Sequence, residues 1–201
     1  MPLRDVPTVH AVTDAGILAA PGFLDRARQV LRALGPRGAV HLRGHGMAGR
    51  DLWLLADSLA PFQAESGGWV IVNDRVDVAA STRATGAQLG QRSLLVGDAR
   101  HIGPSLRLGV SVHSIDEAAA AAAADWWLAG HIFATPSHPG EPGRGLAFVG
   151  ALAGRGVPVI AIGGVTPASV GPLRDAGAHG VAAIRGIWGA PDPSRAAMEY
   201  L

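Results

Sequence analysis

Eight histidines and seventeen arginines supply most of the acid–base and anion-binding capacity of this 201-residue sequence, in which no lysine occurs. Arginine stays protonated at ordinary pH and cannot form a Schiff base, so imine-forming aldolase and pyridoxal-phosphate chemistry are excluded. No cysteine is present, which removes disulfides, thiolate metal sites and a thiol nucleophile. Histidine is left as the side chain suited to proton transfer near neutral pH. His45, His113, His131 and His138 each fall at or just beyond the end of an apolar run that reads as a strand. A zinc site built from them is a weaker option, because neither a carboxylate partner nor His-x-His spacing accompanies them. His10 and His41 sit within strand-like runs and read as interior residues, and His101 and His179 are given no role.

A second group of residues points to an anion. Val159–Val165 and Gly180–Gly186 are apolar strands that end in small residues. Gly163 and Gly164 would let backbone N–H groups approach a phosphate closely, with Ala183, Ile184 and Arg185 completing the cup. The plainer account of these glycines is a pair of tight turns. Arg43, at the end of another strand, has the fork geometry for a carboxylate or phosphate. Asp74 follows a strand and reads equally well as a helix N-cap.

These residues must be positioned by a repeating scaffold. Strand-like runs cover Val9–Val12, Ala39–Arg43, Trp69–Asn73, Gly86–Leu89, Leu108–Val112, Trp126–Gly130, Val157–Ile162 and Gly180–Ile184. Helical spacing covers Leu24–Leu34, Asp51–Ala64, Val76–Ser81, Asp98–Ile102, Asp116–Ala124, Leu146–Leu152, Pro167–Ala176 and Pro193–Leu201. Strand and helix alternating in this way imply parallel βαβ units, and eight of them predict an α/β fold, a (β/α)8 TIM barrel forming one domain over residues 1–201. An open doubly wound sheet would want a glycine-rich fingerprint after its first strand, which Val12–Gly16 does not supply. In a barrel the last two strands are where a phosphate is commonly held.

The formal net charge is +1, so neither a nucleic-acid nor a membrane partner is expected. Met1–Asp14 lacks the apolar core of a signal peptide, and a cytoplasmic protein is expected. Trp126 and Trp127 leave a homo-oligomer open.

The motifs His10–Asp14, Val40–Arg43, Ile71–Asp77, Leu89–Gln91, Ser111–Ser114, Ala129–Thr135, Gly143–Gly145, Ala161–Gly164 and Gly180–Ala182 resemble the thiamine phosphate synthase superfamily over nearly the whole chain. Within it, Gly130–Phe133 resembles the thiazole tautomerase branch, whose histidine is the acid–base residue. The synthases join a pyrimidine methyl pyrophosphate to a thiazole phosphate with Mg2+ and lysines. Their arginine-glutamate-lysine triplet here reads Arg43-Gly44-His45, their glycine-glutamine-glutamate-aspartate stretch reads Gly90–Ser93, and their threonine-x-threonine-lysine stretch reads Thr135–His138. Two lysines and a metal-ligating carboxylate are replaced. The resemblance therefore implies a tautomerase that converts a non-aromatic thiazole carboxylate phosphate to 2-(2-carboxy-4-methylthiazol-5-yl)ethyl phosphate. His131 would be catalytic, Arg43, Asn73, Ser111, His113 and His138 would bind substrate, and no metal or cofactor would be needed. Two alternatives stay open: a thiamine phosphate synthase, and a non-catalytic relative that binds thiazole phosphate as a regulator.

Overall fold

A computed structural model describes residues 5–135 and 139–201. Eight parallel strands close into a barrel in sequence order. They are β1 (Val9–Val12), β2 (Gly38–Leu42), β3 (Trp69–Asn73), β4 (Gly86–Leu89), β5 (Arg107–Val112), β6 (Trp126–Ala129), β7 (Val159–Ile162) and β8 (Gly180–Ala183). Closure comes from β1 lying between β2 and β8, with His10 opposite both Ala39 and Ala182. The helices are α1 (Ala15–Ala19), α2 (Phe23–Leu34), α3 (Gly49–Ser66), α4 (Val76–Ser81), α5 (Val96–Ile102), α6 (Ile115–Ala120), α7 (Gly145–Leu152), α8 (Val170–Asp175), α9 (Arg185–Trp188) and α10 (Pro193–Met198).

Because strand side chains alternate, the barrel has two cores. One packs strands against helices: α2 contributes Phe23, Ala27, Val30, Leu31 and Leu34, a stripe at helical spacing. The other fills the barrel itself with Val12, Ala39, Ile71, Trp126, Leu128, Ile160 and Ala182. Trp126 and Trp127 divide between the two and both are fully buried, so neither offers a surface to a second subunit. Polar side chains also lie inside. His10, His41 and Gln88 are wholly inaccessible.

Helix borders follow local chemistry. Ser114 Oγ caps α6 by accepting from Glu117 N at 3.1 Å. That helix stops at Ala120 rather than running on to Ala124, because the chain must turn to bring Asp125 to the start of β6, where its carboxylate receives Leu108 N at 2.7 Å. Gly177, at φ 98°, ends the turn after α8 with its N–H donating to Arg174 O. Asp74 is not the N-cap of α4. Arg75 holds that place, and Asp74, at φ 63°, turns back to accept from Gly90 N at 3.2 Å and from the Ser93 hydroxyl. Among the described residues no helix is long and apolar enough to cross a membrane.

Candidate active site

A cavity of about 610 Å3 opens at the carboxyl ends of the strands. Val12, Leu128, Ile162 and Ala182 give it an apolar floor, continuous with the barrel interior. Arg43, Asn73, Ser111 and His113 border one side, and His131 with Gly163, Gly164, Ala183, Ile184 and Arg185 borders the other. Except for His138, which lies outside the described residues, every residue singled out for the site is thus brought to one cavity. His45 is exposed and stands apart from the residues that line it.

Each wall is held by neighbours. The Thr13 hydroxyl donates to His41 O at 2.8 Å and accepts from Arg43 N at 3.0 Å, fixing the end of β2 from which Arg43 emerges. Ser111 is oriented from below. Trp126 Nε1, a donor only, bonds Gln88 Oε1 at 2.9 Å, so the Gln88 amide nitrogen must face Ser111 Oγ, 3.1 Å away. With its oxygen accepting from Gln88, the Ser111 hydroxyl keeps its own proton available as a donor.

His131 is pinned through its peptide. Beyond β6 the pairing with β7 continues, with Ile132 N donating to Ile162 O and Phe133 N to Gly163 O, both at 2.9 Å. On the other flank Arg144 N bonds His131 O at 3.0 Å and Arg144 Nε bonds Gly130 O at 3.1 Å. Gly130 serves this packing: a Cβ there would lie 2.6 Å from Ile162 Cγ2 and 2.9 Å from Ile162 O. The glycines after β7 are constrained in the same way. Gly163 and Gly164 take φ of 97° and 66°, and Cβ atoms would stand 2.4 Å from His131 Cβ and 2.6 Å from Ala134 O respectively. They are tight turns, and both border the cavity.

Below the cavity floor, His10 Nε2 lies 3.0 Å from Pro7 O and His10 Nδ1 lies 2.8 Å from His41 Nε2. Carbonyl oxygen only accepts, so His10 carries its proton on Nε2 and His41 donates to its Nδ1. Burial lowers the His10 pKa to about 4 against the Pro7 bond, and burial with the neighbouring His10 lowers that of His41 as well. Both are neutral interior residues, not cavity bases.

Tyr200, Thr135 and Thr166 also border the cavity without having been foreseen. Tyr200 follows β8 by two helices, α9 and α10, so no strand-end signal marks it; Gln88 could have been found from the alternation of β4.

Metal ligation is poorly served. Among the described residues no group of three or more His, Cys, Asp or Glu could hold an ion. Ser93, which stands in place of a ligating carboxylate, donates its hydroxyl to Asp74. This donor set does not fit a protein-held Mg2+, which favours carboxylate oxygens.

A family model described as thiamine monophosphate synthase matches residues 9–187. The thiamine-phosphate synthase of Chlorobium luteolum is 39% identical over 187 residues, covering 89% of this chain and 85% of its own. That of Methanoculleus marisnigri is 39% identical over 194 residues, covering 94% and 91%. The structure of thiamine phosphate pyrophosphorylase from Pyrococcus furiosus superposes with a TM-score of 0.85 at 28% identity, covering 99% of this chain and 96% of the other. These relatives overturn the tautomerase and isomerase reading, which rested on Gly130–Phe133 and on the missing lysines. The missing lysines do not decide the branch: His45 and His138 stand at the two lysine positions, while Arg43, which matches the family's own arginine, and Arg185 both border the cavity as fixed cations for an anion.

Proposed function

The chain belongs to the thiamine monophosphate synthase family, and on that premise we propose that it is a transferase joining a pyrimidine methyl diphosphate to a thiazole phosphate. The observation that carries this reading is a single cavity with two polar walls across an apolar floor. On one wall Gly163, Gly164, Ala183, Ile184 and Arg185 would hold the thiazole phosphate, largely through main-chain N–H groups. On the other, Arg43, Asn73, Ser111 and His113 would hold the diphosphate partner. His131, 7% exposed and fixed by its peptide, would lie beside the thiazole ring.

The chemistry is a displacement at carbon. The thiazole nitrogen forms the new bond to the pyrimidine methylene, and the C–O bond to diphosphate breaks with its electron pair leaving on oxygen. The chain's own contributions are holding two ligands face to face on a dry floor and meeting the negative charge that grows on the departing oxygen. Arg43 would meet that charge with two parallel N–H groups, and Ser111 with its O–H. No step is assigned to Mg2+, since the donor set around Asp74 does not fit one. The setting would be cytoplasmic, with small phosphorylated molecules as partners.

Incubation of the purified protein with both substrates and Mg2+ tests this, thiamine phosphate being measured as fluorescent thiochrome. Stoichiometric formation of thiamine phosphate and pyrophosphate is expected. Binding of thiazole phosphate without any condensation would overturn the transferase reading.

A further inference from the structure

At the mouth of the barrel, His113 is the first residue after β5 and borders the cavity. Four residues on, the carboxylate of Glu117 does something unusual for a helix start. A capping-box carboxylate returns to the N–H of the cap residue itself. Here Glu117 Oε2 reaches one residue further, accepting from His113 N at 2.7 Å and lying 3.1 Å from His113 Nδ1. From the loop after β4, Gln91 Nε2 donates to Glu117 Oε1 at 3.1 Å.

The proton placement follows from donor and acceptor types. A carboxylate can only accept, so the ring must carry a proton on Nδ1. A protonated Nδ1 cannot also accept from Gln91 Nε2, 3.2 Å away, which makes that approach a packing contact. Burial alone would raise the Glu117 carboxyl, but the His113 backbone and ring together with Gln91 hold it below the usual range, so it remains an anion. With Nδ1 committed, Nε2 is the nitrogen whose proton can come and go. The two side chains are 34% and 37% exposed, which leaves water within reach of the ring.

Building on the condensation proposed above, we infer that His113 is the proton donor to the departing diphosphate and that Glu117 is its positioning residue. As the C–O bond breaks, the electron pair stays on the diphosphate oxygen, and that oxygen takes the Nε2 proton of the imidazolium. The ring is left neutral with Nδ1–H still on Glu117, pyrophosphate leaves one proton richer, and water reprotonates Nε2. The other titratable side chains on the cavity are Arg43, His131, Arg185 and Tyr200, while Asp74 faces the β4 loop through Gly90 and Ser93. Among the described histidines, His113 alone is ion-paired to a carboxylate.

His113→Gln and Glu117→Gln, with circular dichroism to confirm folding, test the dyad. The native kcat should decline on the alkaline side as one proton is lost. His113→Gln should lower kcat by about 10²-fold or more and abolish that decline, with KM for thiazole phosphate little changed. Glu117→Gln should keep the decline but shift it to lower pH. A second measurement needs no turnover: inorganic pyrophosphate is titrated calorimetrically above neutral pH in buffers of differing ionisation enthalpy. Native protein should take up a proton on binding, and His113→Gln should not. Near-native kcat with an unaltered pH profile in His113→Gln overturns the inference, as does pyrophosphate binding without proton uptake in the native protein. Absence of condensation in the native protein instead removes the transferase reading, and the pyrophosphate titration then decides the dyad by itself.

Discussion

Gly163 and Arg185 border the same cavity and differ in their packing, which single substitutions should separate. At Gly163 the chain runs at φ 97° against the His131 backbone. Gly163→Ala therefore combines a left-handed strain with a contact to a fixed Cβ, and should destabilise the protein by about 1–3 kcal/mol. Thermal unfolding should show the drop, with thiazole phosphate affinity falling as His131 is displaced. Arg185 is exposed and carries no such packing. Arg185→Gln should leave the melting temperature unchanged and weaken thiazole phosphate by roughly 10-fold, the scale of a lost charge-assisted hydrogen bond. Equal affinities in Arg185→Gln and native protein would remove that side chain from the cup. Much of this was legible in the residues themselves, since paired glycines after an apolar strand mark a close backbone approach. What they approach was not: the His131 peptide lies 32 positions earlier in the chain, and only the β6–β7 pairing brings it there.

The strands were readable because each is a short apolar run between turn residues, and β1, β3 and β4 have the bounds expected of them. The short helices α1 and α9 escaped notice, having too few residues to establish a period. Yet α9 carries Arg185 and Gly186, which border the cavity. Glycine inside a helix usually costs about 0.5–1 kcal/mol relative to alanine, so Gly186→Ala would ordinarily stabilise. In α9 the added Cβ would stand 2.1 Å from the Tyr200 hydroxyl, which itself lies 3.5 Å from Val165 O. Because α10 packs on both α2 and α9, the Tyr200 segment has little room to retreat. Gly186→Ala should lower the melting temperature, and Tyr200→Phe, which deletes the obstructing oxygen, should restore much of the loss in the double variant. Strict additivity of the two changes would show that the contact is not what limits Gly186.

A barrel of this size must fill its own interior, and this one does so partly with polar side chains that stay uncharged. His10 and His41 could be placed inside from their positions on β1 and β2, but their mutual hydrogen bond could not, because it depends on the register that sets Ala11 opposite Val40. The charge state follows from that burial and gives the molecule a pH dependence. In the unfolded chain a histidine titrates near 6.5, whereas His10 in the barrel titrates near 4. Between those values the unfolded state binds a proton that the native state refuses, so stability is full above about pH 6.5 and is lost as the pH falls toward 4. A shift of this size corresponds to about 3 kcal/mol from His10, and His41 acts in the same direction. Asp77 and Glu117 have carboxyls held below their usual values, so their protonation weakens the fold only at lower pH than the histidine window. Thermal unfolding measured from pH 7.5 down to pH 5 should therefore show a falling melting temperature. The double substitution His10→Gln with His41→Gln keeps donors and acceptors in the interior but removes both titrating rings. Its melting temperature should vary much less over that interval, and a slope as steep as the native one would place the pH sensitivity elsewhere in the molecule.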